Sequence, residues 1–273
     1  MNKNKNKDLL HKKLCPKSSQ FDIEWMLANE MGPNAIWLTE ILAERMNLKK
    51  DMRLLDLGCG RGMTSIFLAK TYQVNVCATD LWINVDDIWS VVSEAGMEDG
   101  VFPIQAEAHN LPYAARYFES IISVDSYQYF GTDDLYLGYI TRFLKDGGQL
   151  GLVMPATMKE FDKPPGHLIH KQESGGIFWD QKECRTLHTL DWWIDHFSYP
   201  GIVDIEVAEI IPDGWKLWLE WEEIKDGGGF SGFPSDAETI SADAGKYLGF
   251  VLIILKTIPR KKSELGHSLK VRL

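Results

Sequence analysis

The stretch LLDLGCGRGMTS (residues 54–65) decides the fold. A short apolar run carries Asp56 and ends at Leu57, and Gly58, Gly60 and Gly62 follow on alternate positions. A nearly continuous apolar run is what a strand covered on both faces requires. Glycines this dense carry an entropic cost, which a fold bears where something must come close to the main chain. The next residues, MTSIFLAKTY (63–72), read as a helix. Strand, glycine turn and helix in that order form the first unit of a doubly wound sheet, which binds ligands at the carboxyl ends of its strands.

The alternation continues downstream. VNVCATD (74–80) reads as a second strand ending in Asp80, and NVDDIWSVVSEAG (84–96) as a helix capped by Asn84 with acids in its first turn. VFPIQAE (101–107) and YFESIISVDS (117–126) read as the third and fourth strands, TDDLYLGYITRFLK (132–145) as a helix, and GGQLGLVMPA (147–156) as a fifth strand. Such alternation predicts a parallel sheet with right-handed crossovers, an α/β architecture. Upstream, FDIEWMLANEM (21–31) and NAIWLTEILAERMNL (34–48) carry helical periodicity on either side of the Gly32-Pro33 breaker.

Six domain segments follow from these patterns. Residues 1–20, with Lys3, Lys5, Lys7, Lys12, Lys13 and Lys17, read as a disordered basic tail, and 21–50 as N-terminal helices forming a lid. Residues 51–156 are the binding core. Residues 157–200, rich in aromatics and interrupted by Pro164-Pro165 and Gly175-Gly176, read as a cap insertion without a clear strand. Residues 201–260 return to the sheet through VDIEVAEII (203–211) and YLGFVLIILKTI (247–258), with the helix GWKLWLEWEEI (214–224) between them, and 261–273 form a basic tail.

Composition narrows the function. The 273-residue chain has a formal net charge of −10, which argues against gripping a nucleic-acid backbone. Its four cysteines form no CxxC pair, as expected of reduced thiols in a cytoplasmic protein, and no run is long enough to span a membrane. The glycine spacing is GxGxG. The dinucleotide fingerprint needs a third glycine at position 63, where Met63 stands, and the phosphate loop's Gly-Lys pair is missing.

GxGxG after LLDL, with Asp80 eighteen residues past Gly62, resembles the first motifs of class I S-adenosylmethionine-dependent methyltransferases. The resemblance covers residues 52–155 and extends to the small-molecule branch, ubiquinone/menaquinone-type and related. AEAHNLPY (106–113) is similar to the segment after the family's third strand, and FESIISVDSYQYF (118–130) to its fourth-strand motif. It implies a mostly parallel seven-stranded sheet, a Rossmann-like methyltransferase fold with N-terminal helices and an inserted cap. S-adenosyl-L-methionine would be the cofactor and S-adenosyl-L-homocysteine the product. The implied cofactor-binding residues are Asp56, Gly58, Gly60, Gly62, Asp80, Leu81, Trp82, Glu107, Ala108 and Asp125. Asp80 would hydrogen-bond both ribose hydroxyls, with a helix cap as its alternative role. Trp82 would meet adenine or pack in the core, and Glu107 would accept from the adenine amino group.

The acceptor is expected to be a small molecule. DSYQYF (125–130) lacks the Asn/Asp-Pro-Pro-Tyr/Phe pattern of nucleic-acid amino methyltransferases. Asp125 is the candidate to take a proton, and Tyr127, Tyr129 and Trp179 are candidate substrate contacts, with capping of the following helix as the alternative role of Asp125 and packing as that of the tyrosines. The aromatic insertion suggests a pocket for a cationic or apolar body. His167, His170, Cys184 and His188 have metal-ligand spacings, but methyl transfer needs no metal and none is expected. Two alternatives stand beside methyl transfer: a cyclopropane-synthase-like enzyme acting on lipid, and a non-catalytic module that binds the same cofactor.

Overall fold

A computed structural model describes residues 9–180, 184–228 and 235–258. Seven strands form one sheet in the order β3-β2-β1-β4-β5-β7-β6. In chain order these are β1 (Arg53–Leu57), β2 (Asn75–Asp80), β3 (Val101–Gln105), β4 (Phe118–Val124), β5 (Leu144–Thr157), β6 (Val203–Ile210) and β7 (Leu248–Thr257). The first five pair in parallel, and β7 runs antiparallel between β5 and β6. The seven-stranded, mostly parallel α/β sheet is the one expected.

Alternate residues of each central strand feed two cores. Leu54, Ile122, Val153 and Ile254 face one side, where they meet α3 (Ala35–Ala43), α4 (Met63–Tyr72), α5 (Val85–Glu94), α8 (Gly214–Gly228) and α9 (Ala237–Asp243). Leu55, Ile121, Leu152 and Ile253 face the other, where they meet α6 (Tyr136–Ile140) and α7 (Leu190–Ser198). Successive side chains of a strand point to opposite faces, so helices on both faces demand strands apolar throughout. Local chemistry sets the helix starts. Asn84 accepts from the Asp86 N–H at 2.8 Å at the head of α5, and the Thr189 hydroxyl accepts from the Trp192 N–H at 3.3 Å at the head of α7.

Three expected segments differ from the structure. Residues 10–20 are ordered. Helix α1 (Leu10–Leu14) docks on α8, with the buried His11 ring stacked on Trp37 at 4.3 Å and its Nδ1 paired with Glu220. Glu220 also accepts from the Leu10 N–H at 2.7 Å. Packing at specific positions overrides the lysine-rich composition. His11→Ala is expected to lower stability by about 1–3 kcal/mol, read by denaturant unfolding, because it removes the buried ring stacked on Trp37 and the side-chain partner of a half-buried carboxylate. Residues 1–8, 229–234 and 261–273, parts of the expected tails and loop, lie outside the described residues.

The cap does not extend to residue 200. Helix α7 lies on the sheet, burying Trp193 and Phe197 in the second core, so the aromatics at 190–198 serve ordinary helix-on-sheet packing. Before it, described residues 158–189 form largely irregular chain with one isolated bridge, Lys171 to Ile177, and a 3-10 turn at Cys184–Thr186. The N-terminal helices also contribute to the core. Helix α3, whose residues are all buried, packs beside β5, where a Cβ on Gly151 would come within 2.4 Å of the Met46 sulfur.

Candidate functional site

A cavity of about 570 Å³ opens at the carboxyl ends of β1, β2 and β4. Strand ends there leave main-chain groups unpaired, and the β1–α4 turn uses glycine to fold back. Gly58, Gly60 and Gly62 all have positive φ, +79°, +55° and +84°. The Gly58 and Cys59 N–H groups donate to the Thr79 carbonyl at 2.8 and 3.2 Å, tying the turn to β2. Asp80, at the end of β2, then braces it. Its Oδ2 accepts from the Gly60 N–H at 2.9 Å, and its Oδ1 from the Trp82 and Ile83 N–H groups at 2.8 and 3.2 Å. A carboxylate offers about four lone-pair positions. Three are occupied, so the open position lies on Oδ2, and Asp80 can hold one hydroxyl of a diol without rearrangement.

Around the glycine turn the cavity is lined by Leu81, Trp82, Glu107, Ala108, Asp125 and Tyr129. The Trp82 ring is 72% exposed and stands 6.4 Å from Tyr129, a pair of flat apolar faces at the rim. Glu107 lines the cavity, yet both its oxygens bond His109, at the N–H (2.9 Å) and at Nδ1 (2.8 Å). Asp125 sits in the left-handed region at φ +52°, just past the end of β4, and its Oδ1 accepts from the Gln128 amide at 3.1 Å. Strained non-glycine backbone concentrates at functional positions. Residues 31–32 cover this region, and a Cβ on Gly32 would lie 2.1 Å from Asp125 Oδ2.

Three expected contacts are corrected. Asp56 does not line the cavity. It is buried beneath the turn, where the Thr64 and Ser65 hydroxyls each donate to it at 2.6 Å, so it fixes the start of α4. Tyr127 is fully buried among Phe130, Tyr136, Trp193 and Phe197, because the 3-10 turn after β4 points it into the second core. Trp179 packs on Phe161 at 5.0 Å, and its neighbour Phe178 lines the cavity instead. The residues with metal-ligand spacing go separate ways. His167 bonds Asp243 at 2.8 Å, His170 lies 3.9 Å from Glu238, the Cys184 thiol donates to the Phe178 carbonyl at 3.4 Å, and His188 stacks on Trp192.

The cavity lining also holds residues that sequence reading missed: Gln128, Phe178, Trp218, Glu222, Lys225 and Asp236. One signal was available. Positions 218, 222 and 225 share a face of α8, so two charges stand in line with a buried tryptophan.

Burial raises the Asp56 carboxyl to about 6 and the Asp125 carboxyl to about 7. A folded-state pKa above the unfolded one means that the native state binds more protons between the two values. The stabilisation is therefore complete below about pH 4 and lost as pH rises through those folded values. Asp125→Asn is expected to flatten the decline in Tm between about pH 5 and 8, as read by thermal unfolding across that range.

Residues 54–148 match the family model described as a methyltransferase domain. Methyltransferase GfsG from Streptomyces halstedii is 30% identical over 116 residues, 42% of each chain. The (+)-O-methylkolavelool synthase of Herpetosiphon aurantiacus is 24% identical over 63% of this chain and 58% of its own. The chain thus spans about half the length of these curated relatives. The geranyl diphosphate C-methyltransferase of Streptomyces coelicolor A3(2) superposes with a TM-score of 0.63 at 16% identity, over 81% of this chain and 78% of its own. The [4+2]-cyclase SpnF reaches the same TM-score at 18% identity, over 85% and 86%. These relatives do not single out the ubiquinone/menaquinone-type branch. Over residues 54–148 the chain is thus similar to a methyltransferase domain, and its sheet has the Rossmann-like fold of the methyltransferase structures it superposes on.

Proposed function

We propose that the protein binds S-adenosyl-L-methionine beside the glycine turn and transfers its methyl group to a small molecule held in the same cavity, releasing S-adenosyl-L-homocysteine. One observation carries this reading. A single cavity is lined both by the left-handed glycine turn, Asp80 and the exposed Trp82 and by a second, largely apolar set of residues, Pro155, Phe178, Leu187 and Trp218. The residues present fit the donor. Asp80 Oδ2 would take a ribose hydroxyl, Leu81 and Trp82 would face the base, and Ala108 with Glu107 would close that end.

Bound S-adenosylmethionine supplies a methyl carbon already activated by its sulfonium. The protein's remaining tasks are alignment and exclusion of water, with the nucleophile about 3 Å from that carbon. Asp125, which lines this cavity with a carboxyl raised by burial to about 7, would take a proton from an acceptor that must lose one. Tyr129 stands at the rim as the remaining tyrosine contact. The net charge of −10 supports a small-molecule rather than a nucleic-acid acceptor. Among the described residues no helix is long and apolar enough to cross a membrane.

A fold shared with a cyclase does not by itself determine methyl transfer, so chemistry must be tested directly. The protein is incubated with methyl-labelled S-adenosylmethionine and fractionated metabolite pools, and both labelled product and S-adenosylhomocysteine are followed. Stoichiometric appearance of the two establishes the reaction. Tight donor binding with no release across pools of oxygen, nitrogen, sulfur and carbon acceptors supports the non-catalytic module instead.

A further inference from the structure

We propose that the cavity lining around α8 is a subsite for an organic ammonium group, so that the acceptor is an amine carried on an apolar body. One ammonium proton passes to the Asp125 carboxylate, and the freed nitrogen lone pair forms the bond to the methyl carbon as the sulfonium C–S bond breaks. This rests on the methyl-transfer reading above and names the class of its second substrate.

The subsite is built on the buried face of α8. Lys225 Nζ lies 3.2 Å from both oxygens of Glu222 and 3.9 Å from Glu30 Oε2. Glu30 also accepts from the Trp221 indole at 3.1 Å. The Asp236 N–H donates to Glu222 Oε2 at 3.1 Å, and the Asp236 carboxylate accepts from the Gln172 amide at 3.1 Å. Three carboxyl groups thus share one network in which, among the described residues, Lys225 is the basic side chain paired with them. Buried carboxylates need compensation, and one ammonium cannot neutralise three. The strain shows in the titration: burial holds the carboxyls of Glu30 and Asp236 above the usual carboxylate range.

An independent observation concerns Gln128, which lines the same cavity and is 1% exposed. Its amide N–H donates to Asp125, while its Oε1 has no partner among the described residues. A buried acceptor without a donor calls for an occupant that donates hydrogen bonds. The rings of Phe178 and Trp218, 5.7 Å apart, add the aromatic surface that suits a cation and an apolar body. An anionic acceptor would meet net negative charge and a lysine already paired. A metal ion is disfavoured as well, because among the described residues no three His, Cys, Asp or Glu side chains form a group able to hold one.

The test uses benzylamine, benzyl alcohol and benzoate, one ring with three kinds of head group. Each is titrated calorimetrically into the full chain saturated with S-adenosylhomocysteine. Benzylamine is expected to bind about tenfold or more tightly than the alcohol, with benzoate weakest. Asp236→Asn, which keeps an oxygen for Gln172, is expected to reduce benzylamine affinity about tenfold and leave affinity for S-adenosylhomocysteine unchanged. Lys225→Met removes the resident cation and is expected to tighten benzylamine binding, an effect opposite in sign to that of simple structural damage. Alcohol or benzoate binding as tightly as the amine, no amine binding at millimolar concentration, or amine affinity unchanged in both variants overturns the subsite. If S-adenosylhomocysteine fails to bind the wild-type chain, the methyl-transfer reading fails, and the ranking of the three probes without it still decides the subsite.

Discussion

Replacing Asp80 with alanine is expected to weaken S-adenosylmethionine binding about 100-fold or more in calorimetric titration. The effect is large because one side chain has two roles. Its carboxylate accepts from three backbone N–H groups, at Gly60, Trp82 and Ile83, and so sets both the glycine turn and the rim that carries Trp82. The open position on Oδ2 is the acceptor available to a ribose hydroxyl. Hydrogen bonds to a charged group contribute about 1.5–3 kcal/mol each, so losing the ligand contact and loosening the turn together account for the factor. Asp80→Asn keeps one oxygen and should fall between wild type and alanine. Unchanged affinity in the alanine variant would show that the diol is held elsewhere.

Gly58→Ala is expected to destabilise the fold by about 3 kcal/mol or more and to lower Tm by roughly 6–12 °C. Gly58 has φ +79°, and a Cβ there would lie 2.3 Å from the Ser126 hydroxyl and 2.4 Å from its Cβ. Ser126 cannot easily retreat. Its hydroxyl donates to the Leu57 carbonyl at 2.8 Å and lies 2.6 Å from the Ser123 hydroxyl, clamping the exit of β4 against that of β1. Gly96→Ala is the matched control. Its φ is +64° and an added Cβ meets nothing within 4 Å, so it carries backbone strain alone, about 1 kcal/mol. Equal losses of Tm in the two variants would mean that the Ser126 contact yields freely.

Both variants act where strand ends meet, and that region was the most legible part of the chain. Helix α4 spans Met63–Tyr72, the residues read from their sequence, and Asn84 caps α5 as its type and place require. Legibility falls where distant contacts override local pattern. The helix expected over 132–145 is confined to Tyr136–Ile140 followed by a 3-10 turn, because Leu144 pairs with Phe118 and the chain is drawn into β5. Tyr127 and Tyr129 are two residues apart on one turn, yet one is buried in the second core and the other is 53% exposed beside Trp82. Only the orientation of that turn against α7 separates them.

The amino-acid sequence by itself determined the strand–turn–helix order, the glycine spacing and the acids at the ends of β2 and β4. These are properties of neighbouring residues, set by periodicity and backbone conformation. Tertiary structure decided the rest. It sent Asp56 beneath the turn, placed α1 on α8, and brought Glu222, Lys225 and Asp236 to the cavity that begins at Gly58. No local pattern encodes that meeting, because it depends on how α8 packs across Trp37 and Phe250, far away along the chain. The glycine turn is therefore written in one short stretch, and the α8 lining meets it only once the sheet has assembled.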